Sequence, residues 1–446
     1  MKDCTKQLLL FKGISGKKIE ADFNGGEISS DAGLLFLREV EERIGLITKM
    51  ADSLRDRRHP GYVQHQLLEL FRQRIFQIAG GYEDGNDSNE LREDPIMKIA
   101  CERLPEGEPL ASQPTISRFE NSLSRTDLYR IAKVFLDVFI ESYEEPPEAL
   151  ILDIDDTDDR TYGHQQLSLF NAYHGDYCYL PIHIYEGQSG RLITTVLRPG
   201  RRPSGKQIVS ILKRVVKRIR QAWPEVGLIL RGDSHYSCPE VFDFCKENDL
   251  KYVLGFKALS PLLRQVKPLV EEMALRFKQE KQPVRMFTET LYKAQSWKKA
   301  CRVIAKVDSN ALGTNTRFII TNLEHWNRRF IYETVYCGRG TMELMIKEHK
   351  NHLLSDRTSC PSFSANQFRL FLHSAAYVLL HSFRALHLKG TEWASAQFDT
   401  IRLKIIKIGA RIRQLSRKIR IHLPTSFPWR GELQKIWLSF AGAGYT

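Results

Sequence analysis

Apolar residues recur at helical spacing through most of the first 145 positions. SSDAGLLFLREVEERIGLITKMADSL repeats Leu, Val and Ile every three or four residues behind a serine cap. YVQHQLLELFRQRIFQIAGG ends on glycines that suit a helix C-terminus. DPIMKIACERL and ASQPTISRFENSLSRTDLYRIAKVFLDVFIESYEE continue the pattern, and EEPPEA closes it. The period then changes. ALILDIDD (149–156), YLPIHIYE (179–186) and RLITTVLR (191–198) predict strands, the last two forming a hairpin about EGQSG. PSGKQIVSILKRVVKRIRQAW predicts a helix, VGLILRGD a buried strand, PEVFDFCKEN a helix and KYVLGF a further strand.

Three meandering strands followed by helix–strand crossovers describe an α/β protein with a ribonuclease-H-like core, a mixed five-stranded sheet flanked by helices. Expected domains are a mostly helical N-terminal domain over 1–145, the first part of the core over 146–256 and a β-rich insertion over 257–333. A helix that completes the core follows over 334–360, then a basic, helical C-terminal region over 361–446. The insertion rests on TRFIITNLE, KKACRVIAKVD and VRMFTETLYKA, strand-like runs behind a charged helical piece.

Composition narrows this. A chain of 446 residues, 42% hydrophobic, has ample core for two to four structural units. It holds no run of about 18 uncharged apolar residues and no signal-peptide cleavage pattern, which predicts a soluble, intracellular protein with no membrane partner. Eight cysteines without a CxxC pair predict free thiols and no zinc site. The net charge is +13, and from Pro361 to Thr446 there are 13 Lys and Arg against 3 Asp and Glu. An excess so localised points to a polyanion.

Candidate chemistry lies in three places. DIDDTDD (153–159) packs five aspartates into seven positions at a strand end, where repulsion calls for a cation or a hydrogen-bond network. Asp233 ends the apolar strand VGLILRGD. In the stretch YCGRGTMELMIKEHK, a helix of about 100° per residue would gather Tyr336, Arg339, Glu343 and Lys350 within an arc of roughly 60°. Glu343 would be a third carboxylate beside the sheet, and three carboxylates can hold two hard divalent ions for phosphodiester displacement. Arg339 and Lys350 would grip phosphates, with Tyr336 stacking on the backbone or bonding to it.

With these residues assembled, the sequence resembles the DDE transposases of bacterial insertion sequences, in the branch marked by Tyr, Arg, Glu and Lys at the spacing of Tyr336, Arg339, Glu343 and Lys350. The resemblance implies Asp156, Asp233 and Glu343 as catalytic, metal-holding residues. Asp156 matches because Thr157 follows it and His164 and Gln165 stand eight and nine residues on. Asp155 competes as a metal ligand, since related folds place Thr two residues beyond the catalytic Asp. Implied too are Mg²⁺, with Mn²⁺ as substitute, as two ions, and double-stranded DNA as partner, both terminal inverted repeats and target. A homodimer on paired ends, a cytoplasmic, nucleoid-associated location and cut-and-paste chemistry complete the expectation. In this family the insertion can carry an aromatic that stacks on a flipped base, for which Phe318 is the candidate, with Trp297 and Trp326 behind it.

Other residues extend the DNA expectation. Arg198, Arg201, Arg202 and Lys206 lie on a Gly and Pro loop that could track phosphates or be merely solvated, and His235 could meet the scissile phosphate or satisfy its loop. SQPTISRFEN could join an end reader in the N-terminal domain. IRLKIIKIGARIRQLSRKIRIHL could run along DNA in the C-terminal region, where dimer contacts are the other expectation. The alternatives are a DNA-binding derivative without catalysis and a two-metal nuclease without strand transfer.

Overall fold

The central sheet dictates where the candidate residues meet. The computed structural model describes residues 9–295 and 297–441. Its largest sheet has eight strands: β1 (Ala149–Asp156), β2 (Ile182–Glu186), β3 (Leu192–Val196), β4 (Gly227–Gly232), β5 (Leu250–Phe256), β6 (Val284–Tyr292), β7 (Cys301–Asn310) and β8 (Gly313–Thr321). Their order is β6-β7-β8-β5-β4-β1-β2-β3. β4 runs parallel to both β1 and β5, and all other pairings are antiparallel. The strands of residues 284–321 thus continue the same sheet through β8 and β5 instead of forming one of their own.

Alternation along the strands gives the sheet two different faces. Leu150, Leu152 and Ile154 of β1 and Leu228 and Leu230 of β4 are buried on one, in a core with Ile208, Leu212, Val215 and Ile219 of α1 (Gly205–Ala222) and Val241 and Phe244 of α2 (Pro239–Glu247). α1 carries its apolar residues every three or four positions and its Lys and Arg on the far side, as an amphipathic surface helix must.

The opposite face carries charge. One register row across the sheet reads Thr321, Val253, Arg231, Asp153 and Tyr185. Arg231 donates from Nε to Asp153 Oδ1 and from Nη2 to Oδ2, both at 2.5 Å, and Asp153 is 0% exposed. The same guanidinium donates from Nη1 to the Val335 carbonyl at 2.7 Å. It lies so close to the turn at Gly187 and to Gly338 that a Cβ at either would come within 2.6 Å of it, so both positions need glycine.

Val335 and Gly338 belong to a helical run over 328–352 that covers this face. Asn327 starts it, its side-chain oxygen accepting from the backbone N–H of Arg329 (2.9 Å) and Phe330 (3.2 Å). Ile331, Tyr332 and Val335 then pack on Val253, Ile304 and Ile319. The run is not a uniform α-helix. Wide π turns over Ile331–Tyr336 and a tight 3₁₀ turn over Cys337–Arg339 precede α3 (Gly340–Lys347), and π turns resume over Glu348–His352.

The chain divides into two compact units. The sheet and its covering helices belong to one, comprising 44–55 and 120–381. The other draws on 1–43, 56–119 and 382–446. Within it Phe36 stacks on Phe383 and Phe440, with centroids 5.8 and 5.9 Å apart. In its C-terminal part, where the sequence allows long helices or a helix and a strand, residues 410–422 form a β-hairpin whose first strand pairs with Ile28–Ser29. Ile412 and its neighbours fit either period, and tertiary pairing decides for the strand. A short hairpin (Leu9–Ile14 with Lys17–Ala21) also precedes the N-terminal helices. The seven described cysteines are free thiols, and Cys4 lies outside the described residues. No described helix is long and apolar enough to cross a membrane.

Removing one partner of the buried pair leaves an uncompensated charge. Arg231→Met should therefore lose about 3–5 kcal/mol in urea unfolding, and Arg231→Met with Asp153→Leu should recover most of it. A single variant as stable as wild type would show that the pair carries no such role.

Candidate functional site

The aspartate run is resolved residue by residue. Asp153 pairs with Arg231, as above. Asp155 Oδ2 accepts from Arg339 Nη2 at 3.1 Å. Asp158 Oδ1 accepts from Lys350 Nζ at 2.9 Å, and that ammonium also donates to the Asp158 carbonyl and to Thr157 Oγ1. Asp159 is fully buried with neither carboxylate oxygen hydrogen-bonded, and burial drives its pKa well above the usual range. Asp156 has His235 beside it, with Nδ1 3.7 Å from its Oδ1. The protein's own cations thus balance much of a run that the sequence alone left to an external one.

Asp233 follows β4 directly. The register Gly232–Ile154 sets it level with Asp155, on the face that carries Arg231 and Asp153. Its Oδ1 accepts from the His235 backbone N–H at 2.7 Å, and its Oδ2 lies 3.8 Å from His235 Nδ1. That Nδ1 is buried without a hydrogen-bond partner and faces both Asp156 and Asp233. The Asp156 carboxylate, with Asp233 behind it, raises the His235 pKa against the effect of burial.

Asp155 shows the strain of this grouping. Burial pushes its carboxyl up to about 7; Arg339 opposes the shift, and the charges of Asp233 and Asp156 add to it. Arg339 feels Asp155, Asp233 and Glu343 together, and its Nε is buried without a partner. Glu343 itself is exposed on α3. The three sequence-distant segments do come together, with Arg339 as their shared cation. Among the described residues no group of three or more His, Cys, Asp or Glu is drawn tightly enough to hold a metal as it stands.

The remaining candidates divide. Tyr336 is half-buried, its ring 5.6 Å from that of Tyr332. Lys350 is occupied by Thr157 and Asp158, so it fastens the helix end to the β1 end. Arg202 donates to the carbonyls of His235 (2.8 Å) and Ser234 (3.4 Å), which brings its loop to the Asp233 turn; Arg201 is exposed on the same loop and Lys206 in the first turn of α1. Phe318 is corrected: it is 3% exposed in the core and unavailable to a base, because its position alternates inward on β8. Trp297 packs among Phe242, Phe256 and Tyr292, whereas Trp326 is 43% exposed.

Sequence reasoning missed two sets of residues. Arg231 and Asp153 each stand two positions before a carboxylate on an otherwise apolar strand, a matched offset that was visible. A buried histidine pair was not. His183 of β2 is bonded through Nδ1 to Thr195 Oγ1 (3.0 Å), and its ring lies 4.8 Å from that of His349. His349 is bonded in turn to the Tyr185 hydroxyl (3.0 Å) and Ser374 Oγ (3.2 Å).

A family model described as transposase DDE domain, group 1, matches residues 11–442. No curated protein matches the chain at a significant level.

Burial lowers the His183 pKa to about 3 and that of His349 well below its ordinary value. Below about pH 6.5 the unfolded chain takes up protons that these folded imidazoles refuse, so their contribution is complete above that pH and is lost as the pH falls. Relative to His183→Asn, wild type should lose up to about 1.4 kcal/mol more stability per pH unit between pH 6.5 and 4.5. A difference that stays constant across urea titrations in that range would refute the assignment.

Proposed function

Because the chain belongs to the DDE transposase family, we propose that it carries out cut-and-paste transposition of an insertion sequence. The steps are cleavage at the terminal inverted repeats and attack of the freed 3′-hydroxyl on target DNA. The observation that carries this reading is the meeting of β1, the end of β4 and the 328–352 helical run around Arg339. A sheet order with β4 between β1 and β5, all parallel, and beyond β1 a meander in which β2 is antiparallel to β1 and β3 to β2, supports a ribonuclease-H-like core.

The donor set fits a hard divalent cation. Its carboxylates are oxygen donors, Asp155 is held protonated to about pH 7 by burial and like charge, and an unpartnered His235 nitrogen faces Asp156 and Asp233. Bound there, Mg²⁺ or Mn²⁺, as two ions, would supply Lewis-acid stabilisation of the attacking and leaving oxygens. Asp155, Asp233 and Glu343 are the residues we assign to hold it. Asp155 replaces Asp156 in this assignment because it lies level with Asp233 and shares its face with the Glu343 helix. Asp156 alternates toward the opposite face, with Leu152 and Ile154. Arg339 orients Asp155 in the absence of DNA and turns to a phosphate in its presence. Arg201, Arg202 and Lys206 line the approach to the Asp233 turn, and Tyr336 and His235 flank the scissile strand. Paired ends would be held by a homodimer.

On duplexes carrying the element's flanking repeats, with Mg²⁺, wild type should cut at the repeat ends. Asp155→Asn, Asp233→Asn and Glu343→Gln should each cut about 100-fold more slowly, or worse, while still binding. Asp156→Asn should lose less; the reverse order would return the role to Asp156. Binding without cutting across metals would leave a DNA-binding derivative, and cutting without joining to target DNA would leave a nuclease.

A further inference from the structure

Residues 400–431 hold nine Lys and Arg and no Asp or Glu. Within them, β9 (Ala410–Leu415) and β10 (Lys418–His422) form a two-stranded ribbon joined by Ser416 and Arg417. The register pairs Arg411 with His422, Arg413 with Arg420 and Leu415 with Lys418, which puts five basic side chains on one face. All five are exposed. The other face carries Ala410 and Ile412, both 3% exposed, and anchors the ribbon in its own unit beside Ile28–Ser29.

Like charges directly opposite across a ladder destabilise it, and Arg413 faces Arg420. Among the described residues none of Arg411, Arg413, Arg417, Lys418 and Arg420 forms an ion pair. A fold that keeps such a face, anchored and without counterions, is complementary to a regular polyanion. A two-stranded ribbon is also of a width that the major groove of B-DNA admits.

We propose that the β9–β10 ribbon is a duplex-DNA contact surface, its basic face set against the phosphates that border a groove. The proposal rests on the transposase reading and assigns a task to an element outside the carboxylate cluster.

The test uses the full chain and a duplex carrying the element's end, with affinity followed by fluorescence anisotropy from 50 to 200 mM salt. Arg413→Gln with Arg420→Gln should weaken binding about 10-fold or more and reduce the slope of log affinity against log salt by about 2. Its thermal midpoint should equal or exceed that of wild type. Arg411→Gln with Lys418→Gln, which leaves the opposed arginines in place, should do the same to binding and serves if the first variant misfolds. Unchanged affinity and slope in a folded variant would overturn the ribbon proposal, while repeat cleavage by wild type would leave the transposase reading intact. If wild type neither binds nor cuts the duplex, the reading itself fails. Displacement of duplex by phosphatidylserine vesicles at equal phosphate would overturn the proposal in favour of a membrane surface.

Discussion

The ion pair between Arg231 and Asp153 is the constraint on which the carboxylate site depends. Two charges taken out of water are stable there only with near-ideal geometry and every donor satisfied. The pair meets that demand by engaging four chain segments at once: β1, β4, the turn at Gly187 and the helical run at Val335. Its place two residues before Asp155 and Asp233 also fixes the register of two parallel strands. A slip of one residue would send one partner to the opposite face and break the pair, so the two acids are kept level by a contact that itself touches neither.

Electrostatics continues the theme outward from that pair. From Asp153 on β1 to Asp159 beyond its end, each acid meets a different environment: a buried guanidinium, a half-buried one, an imidazole, an ammonium and, last, burial that raises the pKa. At Asp155 the charges of Asp233 and Asp156 add to the effect of burial and push the carboxyl up. Arg339 partly offsets it while tying the helix to the strand. A residue that bonds to an acid in this way is held in place for other work.

Much of this was legible in the sequence. Apolar runs ending in Asp marked β1 and β4, and the order of strands and helices placed them side by side. The Tyr, Arg, Glu and Lys spacing located the covering helix, although its π and 3₁₀ turns alter the uniform wheel on which that spacing was judged. Less legible were features that depend on partners far apart in the chain. Phe318 reads as an aromatic on a strand, and only the packing of its neighbours shows that it points inward. The alternation of Ile and Arg through 410–422 suits a strand as well as a basic helix, and the choice is made by Ser29, some 380 residues earlier. Between Asp155 and Asp156 a motif spacing and a strand register give different answers, because one counts residues and the other counts faces.

The unit built from both ends of the chain has a consequence in time. Ala32 and Gly33 donate to the carbonyls of Ile408 and Ile406, and Ser29 pairs with Ala410. On the ribosome, these early residues emerge long before the segment that completes them. The intervening unit, whose strands lie mostly within a few dozen residues of their partners, can close first, whereas the unit bearing the basic ribbon must wait until residues 406–411 have emerged. A nascent chain therefore acquires its sheet before its ribbon, and an interrupted one never gains the second unit.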